Sequence, residues 1–216
     1  MREYVLSSIV RRAVYGDLFN LGGIGDPRSM MALVRIISET PGMLLNFDSL
    51  GSDMGIDRRT VSSYITRLEQ AMIITTLGNI RGSALSSSRK HRKTYPVSTA
   101  LTYAFRRHAV DDTHRGRVFE TAVRNEIGAD HFWRATGGEI DMIVGPKGAV
   151  AVEVKLSGEG PFHFEKFART RPLEQAFVIT ENDHGTGTSH GISFERVPAW
   201  ALCAGANIPG IRNTDQ

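Results

Sequence analysis

The chain has 216 residues, 41% of them hydrophobic and 23% charged, which is the make-up of an ordinary globular protein with one good core or two small ones. Its single cysteine, Cys203, excludes an intramolecular disulfide, and no Cys/His group has zinc-ligand spacing. Arg11 and Arg12 interrupt any signal-like core and no apolar run reaches membrane-spanning length, so the expected location is the cytoplasm, with no membrane partner.

Taken in chain order, residues 3–20 place Leu6, Ile9, Val10, Ala13, Val14 and Leu18 on one helical stripe, which the Gly22-Gly23 and Asp26-Pro27 breakers end. Three helices are predicted next, over 30–39, 47–54 and 58–72. The third has Asp57 as its N-cap and buries Val61, Tyr64, Ile65 and Leu68, leaving Arg59, Ser62, Ser63 and Thr66 outside with Arg58 and Arg67 alongside. A strand over 73–77, a Gly/Ser/Arg/Lys-rich loop through Lys93, and a strand near 94–97 read as a hairpin, followed by a helix over 99–107. Beyond the polar stretch 111–115, taken as an interdomain loop, the pattern predicts a helix over 117–127 and strands over 131–134, 139–144 and 149–155. A helix over 162–169, strands over 176–180 and 192–197 and a terminal helix from Ala199 complete the chain. The fold class is α/β (α+β overall), divided into a leading helix and linker (1–27), a helical domain with a hairpin (28–110) and a mixed-sheet domain (111–216).

Charge divides at the same boundary. Residues 1–110 hold 15 Lys/Arg against 8 Asp/Glu, and residues 111–216 hold 11 against 15, so the halves carry +7 and −4. No acidic residue lies between Ala71 and Val110, where Arg81, Arg89, Lys90, Arg92, Lys93, Arg106 and Arg107 fall, and such a stretch suits a phosphate backbone. Helix, short helix, glycine turn, amphipathic helix and basic hairpin follow one another in the order of a winged helix-turn-helix. On that reading Arg58, Arg59, Ser62, Ser63 and Arg67 enter a major groove of DNA, and Arg89, Lys90, Arg92 and Lys93 grip the backbone through the wing. The same surface suits docking onto an acidic protein, including an ATPase partner.

In the second half, Pro146, Lys147 and Gly148 separate two strand patterns and suit a short hairpin loop. If Gly145 pairs with Ala149, Ile143 faces Ala151, Asp141 faces Glu153 and Glu139 faces Lys155. Ile140, Met142, Val144, Val150, Val152 and Val154 then form one apolar face. Like charges opposed across a strand pair are destabilising, so Asp141 and Glu153 call for compensation. A divalent cation supplies it, since Mg²⁺ takes one or two carboxylates together with waters and phosphate oxygens; a raised carboxylate pKa also does. A solvated face with Glu139 paired to Lys155 is the alternative.

Glu120 in VFETAVRNEI, Asp141 in GGEIDMIVG, and Glu153 and Lys155 in VAVEVK resemble the E, D, E-x-K signature of the PD-(D/E)XK (restriction-endonuclease-like) superfamily. The order from leading helix through VFETAVRNEI, HFWRATGGEIDMIV, VEVK, QAFVIT and VPAWAL resembles, over nearly the whole chain, the C-terminal region of prokaryotic AAA-type ATPases. That resemblance implies a winged helix joined to a nuclease-like domain. It also implies that Asp141 and Glu153 hold Mg²⁺ or Mn²⁺, that Glu120 completes or orients the shell, and that Lys155 positions the attacking water or steadies phosphate charge. Glu126 competes with Glu120 for the helix position. No G-x-x-x-x-G-K-[ST] run is present, so ATP binding is not carried over. The expected function is DNA binding with metal-dependent phosphodiester hydrolysis, and the alternative is a non-catalytic DNA-binding, regulatory or ATPase-docking module on the same scaffold. Among the remaining residues, His108, His131 and His163 lack ligand partners at telling spacing, Trp133 reads as a core aromatic, and Cys203 in AWALCAGA reads as buried.

Overall fold

The computed structural model describes residues 2–18, 25–80, 92–105, 111–145, 150–205, 208, 210 and 211. They belong to two units, Met1–Thr76 with His91–Thr121, and Leu77–Lys90 with Ala122–Gln216. Both helices and a mixed sheet are present, so the fold is mixed α/β.

In the first unit, α1 (Arg2–Tyr4) runs on as a π-wound helix, Val5–Leu18. Its buried residues are Val5, Val10, Val14 and Leu18, at steps of five, four and four, because i→i+5 winding spaces the inner row more widely than an α-helix does. Ile9, expected on the buried stripe, is thereby turned outward. Asp26 caps α2 (Pro27–Glu39), accepting from the amides of Arg28 and Ser29. A turn follows in which Gly42 has φ +79° and donates its amide to Thr94, and it leads into β1 (Met43–Leu44). Next come α3 (Phe47–Met54), closed by left-handed Gly55, and α4 (Arg58–Gln70), capped by Asp57. The stripe Val61, Tyr64, Ile65 and Leu68 of α4 is buried, as its spacing predicts, and the Tyr64 hydroxyl both accepts from and donates to the backbone of Asp26. The strand β2 (Ile74–Asn79) neighbours β3 (Arg92–Pro96), which pairs antiparallel with β1, Met43 opposite Thr94. α5 (Thr99–Phe105) adds Leu101, Ala104 and Phe105 to a core shared with the π-wound helix, α2 and α4.

Residues 111–115 do not form a solvated loop. Asp111 accepts the amide of His114 at 2.7 Å and so caps α6 (Asp112–Ile127), whose first turn buries His114 edge-on to Tyr103.

In the second unit Gly78 and Asn79, at the end of β2, run parallel to β4 (His131–Ala135), and the buried Asn79 side chain exchanges two hydrogen bonds with the backbone of Arg134. The order continues through β5 (Gly138–Val144), β6 (Val150–Val154), β7 (Gln175–Thr180), β9 (Ile192–Pro198) and β8 (Gly185–Ser189). β6, β7 and β9 are mutually parallel neighbours, while β4, β5 and β6 pair antiparallel. Parallel strands of this kind are covered on both faces, and all five residues of β6 are buried. α7 (Phe164–Ala168) contributes Phe164 and Phe167 to a cluster with Trp133, Ile143, Ala151, Phe162, Val178 and Phe194. In α8 (Ala199–Cys203) only Leu202 is buried, and Cys203 is exposed, contrary to its apolar sequence context. Among the described residues no helix is long and apolar enough to cross a membrane.

Candidate functional site

The β5–β6 hairpin has the register that the sequence predicts: Met142 opposite Val152, Ile143 opposite Ala151, Val144 opposite Val150. One further step of the same register sets Asp141 opposite Glu153. Ala151 and Glu153, two residues apart on β6, share a face, and Ala151 lies in the Phe162, Phe164, Phe167 cluster. The face carrying the carboxylates therefore adjoins the aromatic cluster at Ala151, and it is not a solvated surface. Glu153 is 2% exposed and Asp141 is buried beside it.

Asp141 Oδ2 accepts the Val154 amide at 3.0 Å, which ties the carboxylate to the strand edge. Lys155 Nζ donates to Glu153 Oε2 at 2.9 Å and stands 3.6 Å from Asp141 Oδ2. Glu153 Oε1 is buried and has no hydrogen-bond partner. Loss of hydration on burial pushes the Glu153 carboxyl well above the usual carboxylate range, the Asp141 charge pushes it further, and Lys155 only partly opposes them. The Lys155 amide donates to Ile179, continuing the β6–β7 pairing, and Gly160 lies so close that a Cβ there would stand 3.3 Å from Lys155 Cε. The neighbouring strand and the Gly160 loop thus hold Lys155 in place. Glu139 makes an ion pair with Arg134 at 3.3 Å.

Glu120 lies in the part of α6 that belongs to the first unit. Its Oε1 accepts from Lys93 Nζ at 3.2 Å and from the Tyr95 hydroxyl, and Gly42 leaves room for it: a Cβ at Gly42 would stand 3.4 Å from that oxygen. Lys93, expected on the wing among the phosphate-gripping cations, is instead 4% exposed, because its β3 position turns the side chain into this ion pair. Glu126 is exposed.

On α4, Arg58, Arg59, Ser62 and Ser63 are exposed along one face, and Arg67 is half-buried at its far end. Arg58 pairs with Asp48 at 2.8 Å, and Arg92 reaches Glu69 at 3.9 Å. Arg81, Arg89, Lys90, Arg106, Arg107, His108 and residues 146–149 lie outside the described residues. Trp133 is a core aromatic, edge-on to Phe167. Sequence reasoning passed over the buried, unpaired Glu153 oxygen and the aromatic cluster that begins at Ala151 on the same face. The apolar spacing of Phe162, Phe164 and Phe167 was the available signal, but nothing local says which sheet face they cover.

Two carboxylates and an ammonium suit a divalent cation, which takes one or two carboxylates and fills its remaining positions with water or phosphate oxygens. Among the described residues no group of three or more His, Cys, Asp and Glu side chains is gathered to hold a metal ion. No curated protein and no solved structure matches the chain. Residues 1–111, just over half of its length, match the family model described as Domain of unknown function (DUF8612), and the chain belongs to that family.

Proposed function

We propose that the chain binds DNA through its first unit and hydrolyses phosphodiester bonds at Asp141, Glu153 and Lys155 in its second. This is the plan of a winged helix followed by a PD-(D/E)XK domain, as in the C-terminal region of the AAA-type ATPases that the sequence resembles. The observation that carries the reading is Glu153 Oε1, a buried oxygen with no hydrogen-bond partner, next to a second buried carboxylate. Unsatisfied buried polar atoms are costly, and a cation there would satisfy this one. Asp141 and Glu153 would hold Mg²⁺ or Mn²⁺, which supplies a water of lowered pKa and polarises the phosphoryl oxygen. Lys155, which cannot be a ligand, contributes a fixed positive charge toward the phosphate. The first unit contributes an exposed row of Arg58, Arg59, Ser62 and Ser63 for the duplex.

One observation favours a second reading, a nuclease-like scaffold without catalysis: Lys155 already lies against both carboxylates, and the raised Glu153 carboxyl favours a proton in place of a charge. Calorimetric titration of Mn²⁺ into the wild type, Asp141→Asn and Glu153→Gln separates the two. The nuclease reading expects binding that each substitution weakens, and metal-dependent cleavage of plasmid, single-stranded or branched DNA that Lys155→Ala abolishes while metal affinity stays. Metal binding without cleavage of any of these leaves the scaffold reading, and no carboxylate-dependent binding, even with DNA present, removes the metal site.

A further inference from the structure

The π-wound helix aligns residues that an α-helix would scatter. At about 100° per residue, an α-helix would turn Leu6 and Arg11, five residues apart, about 140° away from each other. With i→i+5 winding, residues four and five apart stack instead, so Leu6 and Arg11 fall in one row beside the buried row of Val5, Val10 and Val14, and Arg2 of α1 precedes them by about one turn. Tyr15, four residues further on and 43% exposed, extends the row.

Arg2, Leu6 and Arg11 line a cavity of about 220 Å³ with Met31 and Arg35 of α2 and Ala104 and Phe105 of α5. Ala104 and Phe105 are buried, Leu6 and Met31 half-buried, and the three arginines exposed, so an apolar floor lies beneath a cationic rim. Arg2 Nε donates to the Ala104 carbonyl at 2.8 Å, which fixes its guanidinium at the mouth. Arg35 pairs with Glu39, and Arg11 makes no ion pair with any described residue.

We propose that this cavity is a docking site for an acidic peptide segment of a partner protein that carries one bulky apolar side chain. The side chain fills the floor, and flanking carboxylates meet the guanidinium forks of Arg2, Arg11 and Arg35. Size supports a single anchor: small-molecule clefts enclose roughly 300–1,000 Å³, more than this cavity does. Apolar centre and charged rim is the anatomy of a protein interface, and guanidinium forks match carboxylates in two-pronged geometry. A DNA backbone offers only deoxyribose carbons flanked by phosphates and no bulky apolar group to fill the floor, and setting phosphates against an apolar surface would leave them poorly solvated.

The test is fluorescence polarisation on the whole chain, with a fluorescein-labelled peptide carrying one phenylalanine flanked on each side by three glutamates. Saturable, salt-sensitive binding is expected. It should weaken at least tenfold when alanine replaces the peptide's phenylalanine, and at least tenfold in the double variant Arg11→Glu, Arg35→Glu, whose exposed positions leave the melting temperature near that of the parent. Should charge reversal unfold the chain, Arg11→Gln with Arg35→Gln makes the same test. Equal binding of the phenylalanine-free peptide reduces the effect to bulk charge and overturns the proposal, as does unchanged affinity in the double variant. Two further results overturn it in favour of another occupant: loss of duplex DNA binding in the double variant with peptide binding intact, or a dimer of the wild-type chain that the double variant dissolves. Metal titration of the second unit should be the same in parent and variant.

Discussion

Each unit buries one charge cluster, and the two are built differently. In the first, Lys93 meets Glu120 at 3.2 Å and the Tyr95 hydroxyl donates to the same oxygen. In the second, Lys155 lies against both Asp141 and Glu153, and one buried Glu153 oxygen has no hydrogen-bond partner. A buried ion pair recovers its desolvation cost only when the charges balance and the remaining hydrogen bonds are made. In the second cluster, burial and the neighbouring Asp141 charge raise the Glu153 carboxyl, so the fold holds its proton to higher pH. A paired carboxylate is a structural device. A buried carboxylate with an unsatisfied oxygen has capacity for a further positive charge, whether a proton or a metal ion.

Removing charge from the two clusters should have opposite effects. Lys93→Met removes the ammonium from the Glu120 carboxylate and should cost on the order of 3 kcal/mol, read from urea unfolding at neutral pH. A cost under 1 kcal/mol would dissolve the contrast. Glu153→Gln removes an acid whose proton the folded chain holds to higher pH than the unfolded chain does. Because its folded pKa is raised, the stabilising contribution of Glu153 is whole below the unfolded value of about 4.5 and drains away as pH climbs to the folded value. Within that window the parent should lose up to about 1.4 kcal/mol per pH unit relative to the glutamine variant, which should be the more stable above it. Parallel pH profiles for the two proteins would show that burial does not hold the proton. The smallest effect belongs to exposed charge: Arg58→Ala and Arg59→Ala should each leave stability within about 0.5 kcal/mol, because the Arg58–Asp48 pair is open to solvent. Their effect should appear in DNA binding instead, as altered sequence preference if α4 reads bases and as uniform weakening if it holds phosphates.

Most of the elements were legible because their signals are local. Asp57 ahead of Val61, Tyr64, Ile65 and Leu68 specifies a capped amphipathic helix whatever surrounds it, and the alternation through Ile140, Met142 and Val144 specifies a strand. Elements without such a signal went unread: β8 is Gly-Thr-Gly-Thr-Ser, with no apolar alternation, and the first turn of α6 rests on one side-chain bond from Asp111. The π-winding of Val5–Leu18 could not be read from apolar spacing, because that stripe fits an α-helix almost as well.

By itself the sequence determined the hairpin register, and with it the opposition of Asp141 to Glu153, since a shift of one residue would reverse both faces. It also determined the exposed cationic face of α4. Only the tertiary structure decided what covers each face: that Phe164 and Phe167, from a helix beyond the hairpin, pack in one cluster with Ala151 beside the buried Glu153, and that Lys93 turns inward to Glu120 instead of outward from the wing. Periodicity records which residues share a side. Whether that side meets water, an aromatic ring or an opposite charge depends on segments distant in the chain, and that environment sets whether a carboxylate is solvated, paired or left with an unsatisfied oxygen.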